Sequence, residues 1–163
     1  MCIRDRRLVP PTELETLLPG ADIVILSLPL NDQTRGMFNR PLFARMKPGS
    51  LFVNVARGPT VVTDDLIEAI QGGPLAGAVM DVTDPEPLPP GHPLWTTPNV
   101  IITPHVGGQS ATRADDVVRI MCENLRRWRD GRPLVNLITD KRLGFPKRDG
   151  STPLWIDICD QVP

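Results

Sequence analysis

A short apolar run that recurs along the chain limits the fold more than any other feature. Asp22-Ile23-Val24-Ile25-Leu26-Ser27-Leu28 is almost continuously apolar and of strand length, as expected for a strand covered on both faces. Residues 51–56, 75–82 and 100–103 repeat the pattern. Between them lie helical stretches: 11–18 with Thr12 as a cap and Pro19-Gly20 as its end, 39–49 with Pro41 in the first turn and Gly49 after the end, and 63–71. The last of these is capped by Thr63 or Asp64, buries Leu66, Ile67 and Ile70, and closes at Gly72-Gly73. After the fourth run, Ser110 caps a long helix whose inward stripe is Ala111, Ala114, Val117 or Val118, Met121, Leu125 and Trp128. Strands spaced about 25 residues apart, with crossovers between the first three, predict right-handed parallel units of an α/β, doubly wound sheet. In such sheets ligands lie beyond the carboxyl ends of the strands. Those ends carry Pro29, Ala56-Arg57, Asp81 and His105.

The chain has 163 residues and a formal net charge of −1, enough length for one domain with a real core and no excess of either charge. That argues against an electrostatic footprint for nucleic acid or an anionic membrane and favours small-molecule chemistry. The longest apolar run is only strand-length, so neither a signal peptide nor a membrane span is predicted. Cys2, Cys122 and Cys159 are odd in number, far apart and outside metal-ligand spacing. They fit a reducing, cytoplasmic location better than a disulfide framework.

The connection that follows Asp81 is too rich in proline to be a helix. It brings a carboxylate, Glu86, to one loop, and the strand at 100–103 brings an imidazole, His105, to the next. An acid–base pair is built in this way. Arg57, at the end of another strand, suits paired hydrogen bonds to a carboxylate, which lysine cannot imitate. Blander readings exist for each residue: a satisfied loop histidine, a salt-bridging Arg57, a solvated Glu86, an Asp81 that only caps a turn. A metal set of His92, His105, Asp81 and Glu86 lacks ligand spacing, so no metal is predicted.

Taken together and in order, segments 22–30, 46–58, 77–89 and 99–108 resemble the D-isomer-specific 2-hydroxyacid dehydrogenases, and the resemblance covers residues 8–137. It implies the C-terminal part of a Rossmann-like NAD(P)-binding domain, a partial doubly wound parallel sheet lacking its N-terminal strands, with residues 138–163 a tail outside it. It also implies NAD or NADP as cofactor and a small 2-keto or 2-hydroxy acid as substrate. The family's catalytic arginine, glutamate and histidine fall on Arg57, Glu86 and His105. Cofactor contacts fall on Pro29, the backbone of Val55 and Ala56, Arg57, Asp81 under the nicotinamide amide, His105, and the backbone of Gly107 and Gly108. In this chemistry hydride reaches the keto carbon, protonated His105 supplies the proton, Glu86 holds the tautomer of His105, and Arg57 grips the substrate carboxylate. The Asp-Val-Thr-Asp-Pro-Glu-Pro-Leu-Pro loop is most similar to that of glyoxylate/hydroxypyruvate-reductase-like members. Glu86 argues against the formate-oxidising branch, where an uncharged residue takes its place. A full-length parent would be a homodimer. The other reading, from a different class, is a dinucleotide-sensing or corepressor-like module without turnover.

The phosphate-binding fingerprint Gly-x-Gly-x-x-Gly occurs nowhere in the chain, and neither does the acidic residue that would follow it. The sequence is therefore expected to be a C-terminal fragment of a longer dehydrogenase, inactive by itself, whose first strand exposes an apolar edge and favours association. Met1 to Arg6 is expected to be non-native sequence.

Overall fold

A computed structural model describes residues 10–137. The opening hexapeptide, Cys2, Cys159 and the expected tail at 138–163 lie outside the described residues. Contacts divide the chain into two units, within which the described residues fall as 10–108 and 109–137.

In the first unit, β1 (Ile23–Leu26), β2 (Ser50–Asn54), β3 (Leu75–Met80) and β4 (Val100–Ile102) form one parallel sheet in the order β1-β2-β3-β4. Helix α1 (Leu14–Leu17) precedes β1, and the first two connections carry α2 (Arg40–Phe43) and α3 (Thr63–Gln71). The α/β parallel sheet expected from the recurring apolar runs is present, with its strand ends where the chemistry-bearing residues lie. β1 stops two residues short of the expected strand, at Leu26, and its chain then turns through Pro29.

The register explains where the core sits. Val24, Phe52, Ala78 and Val100 form one row across the sheet, and Leu26, Asn54, Met80 and Ile102 form the row two residues on. Both rows face the packed side, where Phe52 is fully enclosed and meets Phe38 and Phe43 at ring-centroid distances of 5.1 Å each. Leu66 and Ile67 of α3 close this core from above. The opposite face carries the row Ile25, Val53, Val79, Ile101. There Ile25 and Ile101 are each 61% exposed. The expectation that the first strand is covered on both faces is therefore wrong for this structure. An unbroken apolar run shows that both faces can be buried, but it does not supply the second covering layer.

The predicted caps fail for physical reasons. Thr12 lies inside a 3-10 turn, Pro11–Glu13, entered through Pro10 without a side-chain cap. Val62 occupies the cap position of α3, and the Thr63 hydroxyl is drawn 3.5 Å from the Asp84 carbonyl instead. Asn39 does cap α2, its side chain accepting from the Leu42 N–H, and Gly72 ends α3 as expected.

The second unit contains α4 (Arg113–Arg129). Thr112, not Ser110, precedes it, and Ser110 sits in the turn before, where its carbonyl accepts from the Arg113 N–H. The stripe expected to face inward is exposed, from Val117 at 50% to Trp128 at 76%. Amphipathic spacing identifies a face able to be buried, and says nothing of what buries it. After the helix the Asn124 side chain holds Val135 by both its N–H and its carbonyl.

Two substitutions separate the faces of the sheet. Phe52→Ala opens a cavity in the aromatic cluster and should cost about 3–5 kcal/mol, whereas Ile25→Thr on the exposed face should change stability by about 0.5 kcal/mol or less while reducing self-association. Urea unfolding and light scattering of the two variants beside the parent chain provide the check.

Candidate active site

The site is assembled at the carboxyl ends of β2, β3 and β4. At the end of β2, Asn54 is fully buried, and its side chain works on the backbone that follows. Its Oδ1 accepts from the Ala56 N–H at 3.0 Å, and its Nδ2 donates to the Arg57 carbonyl at 3.2 Å. Thr60 donates to the same carbonyl at 2.6 Å. The backbone of Arg57 is thus fixed while its side chain remains exposed, the guanidinium donating to the Ala56 carbonyl at 2.6 Å. Gly58 is required next: a Cβ there would lie 1.8 Å from the Thr83 carbonyl oxygen. That close approach seats the Arg57 loop against the start of the loop that carries Glu86.

At the end of β3, Asp81 is 5% exposed, and its N–H donates to the Asn54 carbonyl at 2.9 Å. Its carboxylate faces the loop that leaves β4. Oδ1 accepts the Thr103 hydroxyl at 2.5 Å and the Val106 N–H at 2.9 Å, and Oδ2 accepts the Gly107 N–H at 2.7 Å. The Thr103 hydroxyl is the leading cause that holds the carboxyl below the usual aspartate value, with the two backbone donors and nearby His105 acting the same way and burial opposing them. Between Thr103 and Val106, His105 adopts φ +56°, a left-handed conformation uncommon for a residue with a Cβ.

The imidazole and the glutamate meet. His105 Nδ1 lies 2.6 Å from Glu86 Oε1, with both side chains about two-fifths exposed. Glu86 stands between two cis peptide bonds, Asp84–Pro85 and Glu86–Pro87. Leu88, Trp95 and Thr103 join the pair in lining a cavity of about 400 Å³. A larger groove of about 490 Å³ runs beside α2 and the end of α3, but the Arg40 guanidinium that faces it is taken up by Glu68 and Asp65. The His105–Glu86 contact, an arrangement able to carry acid–base chemistry, lines the smaller cavity.

Of the residues singled out in the sequence, Glu86 and His105 are brought into contact, and Arg57 is brought to the same rim, although its guanidinium bonds to Ala56 rather than to the pair. Val55 comes close to Gly107: its Cγ1 is 3.6 Å from where a Cβ on that glycine would sit. Gly108 faces open space. Pro29 is half-buried after β1, its carbonyl accepting from the Thr34 hydroxyl at 2.7 Å. The Gly107 N–H is already used by Asp81, so it is not free for a ligand. Among the described residues no group of three or more His, Cys, Asp or Glu side chains could hold a metal ion. Asn54 and Thr103 are the residues that sequence reasoning missed. The only signal for Asn54 was a polar residue at the strand's end, facing inward by alternation; Thr103, one residue past β4 and on the opposite alternation, gave none.

Residues 4–107 match the family described as D-isomer specific 2-hydroxyacid dehydrogenase, NAD binding domain. The glyoxylate/hydroxypyruvate reductase A of Photorhabdus laumondii is 40% identical over 133 residues, which cover 82% of this chain and 42% of that protein. A D-isomer specific 2-hydroxyacid dehydrogenase from Xanthobacter autotrophicus Py2, solved with NADPH and MES, has a TM-score of 0.75 at 40% identity, over 83% of this chain and 55% of that one. The NADPH-dependent glyoxylate/hydroxypyruvate reductase of Sinorhizobium meliloti, solved with NADP and sulfate, has a TM-score of 0.71 at 34% identity, over 81% of this chain and 45% of that one. The chain spans less than half the length of the Photorhabdus protein.

The Asp81 clamp has a pH signature. Because the folded-state pKa lies below the unfolded value of about 3.9, the stability it contributes is fully present above that value and is lost as the pH falls through the lower folded value. Asp81→Asn, which turns an NH2 group toward donors, should be destabilised at pH 7 by about 1–3 kcal/mol and should show a flatter loss of stability on acidification. Equilibrium unfolding at several pH values between neutrality and acid measures both. Gly58→Ala should be costlier, about 3 kcal/mol, because the obstacle is backbone.

Proposed function

The chain belongs to the D-isomer-specific 2-hydroxyacid dehydrogenase family, and from that premise we propose that its protein interconverts a small 2-keto acid and the corresponding D-2-hydroxy acid with NAD or NADP. The observation that carries this reading is the 2.6 Å contact between His105 Nδ1 and Glu86 Oε1 at the mouth of a cavity. With Nδ1 committed to the carboxylate, the proton-handling position left to His105 is Nε2. In the reducing direction Nε2–H gives its proton to the keto oxygen as the carbon accepts hydride, and Glu86 balances the charge and fixes the ring. Arg57 would leave its carbonyl partner and take the substrate carboxylate through two parallel hydrogen bonds. The substrate class we propose is that of glyoxylate and hydroxypyruvate, supported by the reductase relatives.

The residues present fit the nicotinamide end of the cofactor, which when bound supplies or receives the hydride. Gly108 faces open space, and Val55 is exposed beside Gly107. Asp81 has accepted three donors, and a carboxylate offers about four lone-pair sites. One site on Oδ2 therefore remains for an amide N–H. The pyrophosphate end finds no glycine fingerprint in the chain. We accordingly propose residues 8–137 as the C-terminal part of the cofactor domain, in a cytoplasmic homodimer that binds no nucleic acid. Among the described residues no helix is long and apolar enough to cross a membrane. The contact between both members of the acid–base pair supports the enzyme reading over the sensing or corepressor reading.

In the full-length protein, glyoxylate or hydroxypyruvate should drive oxidation of NADH or NADPH, followed at 340 nm. His105→Gln should lower kcat by about 10²–10⁴, and Arg57→Lys should raise KM about tenfold to a hundredfold through loss of the paired bonds. A protein that binds the nucleotide but turns over no 2-keto acid would be a sensor instead. The 163-residue chain alone should bind NADH more weakly than micromolar, as calorimetry would register, since its sequence holds no glycine fingerprint to receive the pyrophosphate.

A further inference from the structure

We infer that Thr103 is a positioning residue for His105, acting through the Asp81 carboxylate. The inference rests on the reading of His105 as the proton-handling group and adds what holds it in place. A left-handed conformation at a residue with a Cβ persists only where its surroundings over-determine it. Here they do. The two amides that follow His105 both donate to one carboxylate, Val106 to Oδ1 and Gly107 to Oδ2. That grip requires Asp81 to present its two oxygens in one orientation. Thr103, two residues before His105, supplies the third point: its hydroxyl binds Oδ1, and its own N–H donates to the Met80 carbonyl at 3.0 Å. The threonine is therefore tied to the sheet by its backbone and to the carboxylate by its side chain, and its β-branched stem is stiff about χ1.

The far side of the clamp is equally tight. A Cβ on Gly107 would lie 2.9 Å from Asp81 Oδ2, so even a methyl group there displaces the carboxylate. The His105 N–H is itself turned back onto the Thr103 carbonyl at 3.0 Å. Residues 103–107 thus ring a single carboxylate, and the imidazole is delivered to Glu86 as the consequence. Removing the Thr103 hydroxyl frees Asp81 to rotate, relaxes the left-handed turn and draws Nδ1 away from Glu86.

The two histidines of the chain make this readable without cofactor or substrate. His105 Nδ1 faces a carboxylate and must carry the proton in the neutral ring, whereas His92 Nδ1 accepts from the Leu94 N–H at 3.1 Å and must lack it. Long-range 1H–15N spectra of the 15N-labelled full chain, at a pH where both rings are neutral, should show opposite tautomers. In Thr103→Val the His105 nitrogens should shift toward the averaged values of an untethered ring, Thr103→Ser should restore them, and His92 should stay put. Gly107→Ala, which presses on the clamp from the other side, should reproduce the Thr103→Val pattern and serves in its place if that variant does not fold. A His105 pattern unchanged in these variants, a wild-type His105 already averaged, or His92 moving in step with it would overturn the inference. Because no turnover is read, failure of the dehydrogenase reading would appear separately, in the nucleotide assay.

Discussion

One buried carboxylate with three donors from a single loop sets the geometry of this site. Asp81 ends β3 and is almost fully enclosed, yet the Thr103 hydroxyl holds its carboxyl below the usual aspartate range. Burying a charge is unfavourable unless hydrogen bonds replace the lost water, and charge-assisted bonds are about twice as strong as neutral ones. The carboxylate therefore keeps its charge only by holding the Thr103 hydroxyl and the amides of Val106 and Gly107. The stability of that ion and the conformation of the His105 loop are the same set of interactions seen from two ends.

The neighbouring strand uses the same device with a neutral group. Asn54 ends β2, is fully buried, and its amide bridges the backbone of Ala56 and Arg57. The Asp81 N–H donates to the Asn54 carbonyl, so the two anchors are joined through main chain. Each anchor is buried and each functional side chain is exposed one to three residues further along, or across on the adjoining loop. This arrangement holds the Arg57 backbone in place while its side chain stays exposed. It places His105 differently: the ring is held at Nδ1, and only Nε2 is left to act.

Much of this was legible in the sequence, for reasons that explain the rest. Apolar runs at a fixed spacing force parallel strands, and parallel strands put their carboxyl ends on one rim, so Arg57, Glu86 and His105 could be assigned to a common edge from the residues that precede them. The residues that hold them could not. Asn54 and Thr103 have side chains whose partners lie elsewhere in the fold or across a tight turn, and a threonine after a strand reads as ordinary. Asp81 was read as a cofactor contact, whereas most of its hydrogen-bonding capacity goes to the protein. The helix caps failed because Thr63 found a tertiary partner and Thr12 entered a 3-10 turn. The exposed faces, at Ile25 and Ile101 in the sheet and along α4, were misjudged because periodicity reports what a surface can do, and its cover comes from outside the segment.

The clamp also depends on register. β4 is three residues long, and such a short strand specifies its pairing weakly by itself. It is entered through Asn99 at φ +59° and left toward His105 at φ +56°. At its start, Gly77 allows the Asn99 carbonyl so close that a Cβ would stand 2.5 Å away, and the Ala78 N–H donates to that same carbonyl at 3.0 Å. This fixes Ala78 opposite Val100 and Met80 opposite Ile102. The next step of the ladder sets Asp81 against Thr103, and there the side chains take over the pairing that the strands begin. A slip of one residue would put Ile102 opposite the carboxylate, remove its hydroxyl donor and turn the apolar row Val100 and Ile102 away from the core. The hydrophobic cost of burying the wrong face and the electrostatic cost of an unpaired aspartate therefore oppose the same error, which is how a three-residue strand can position the His105 loop.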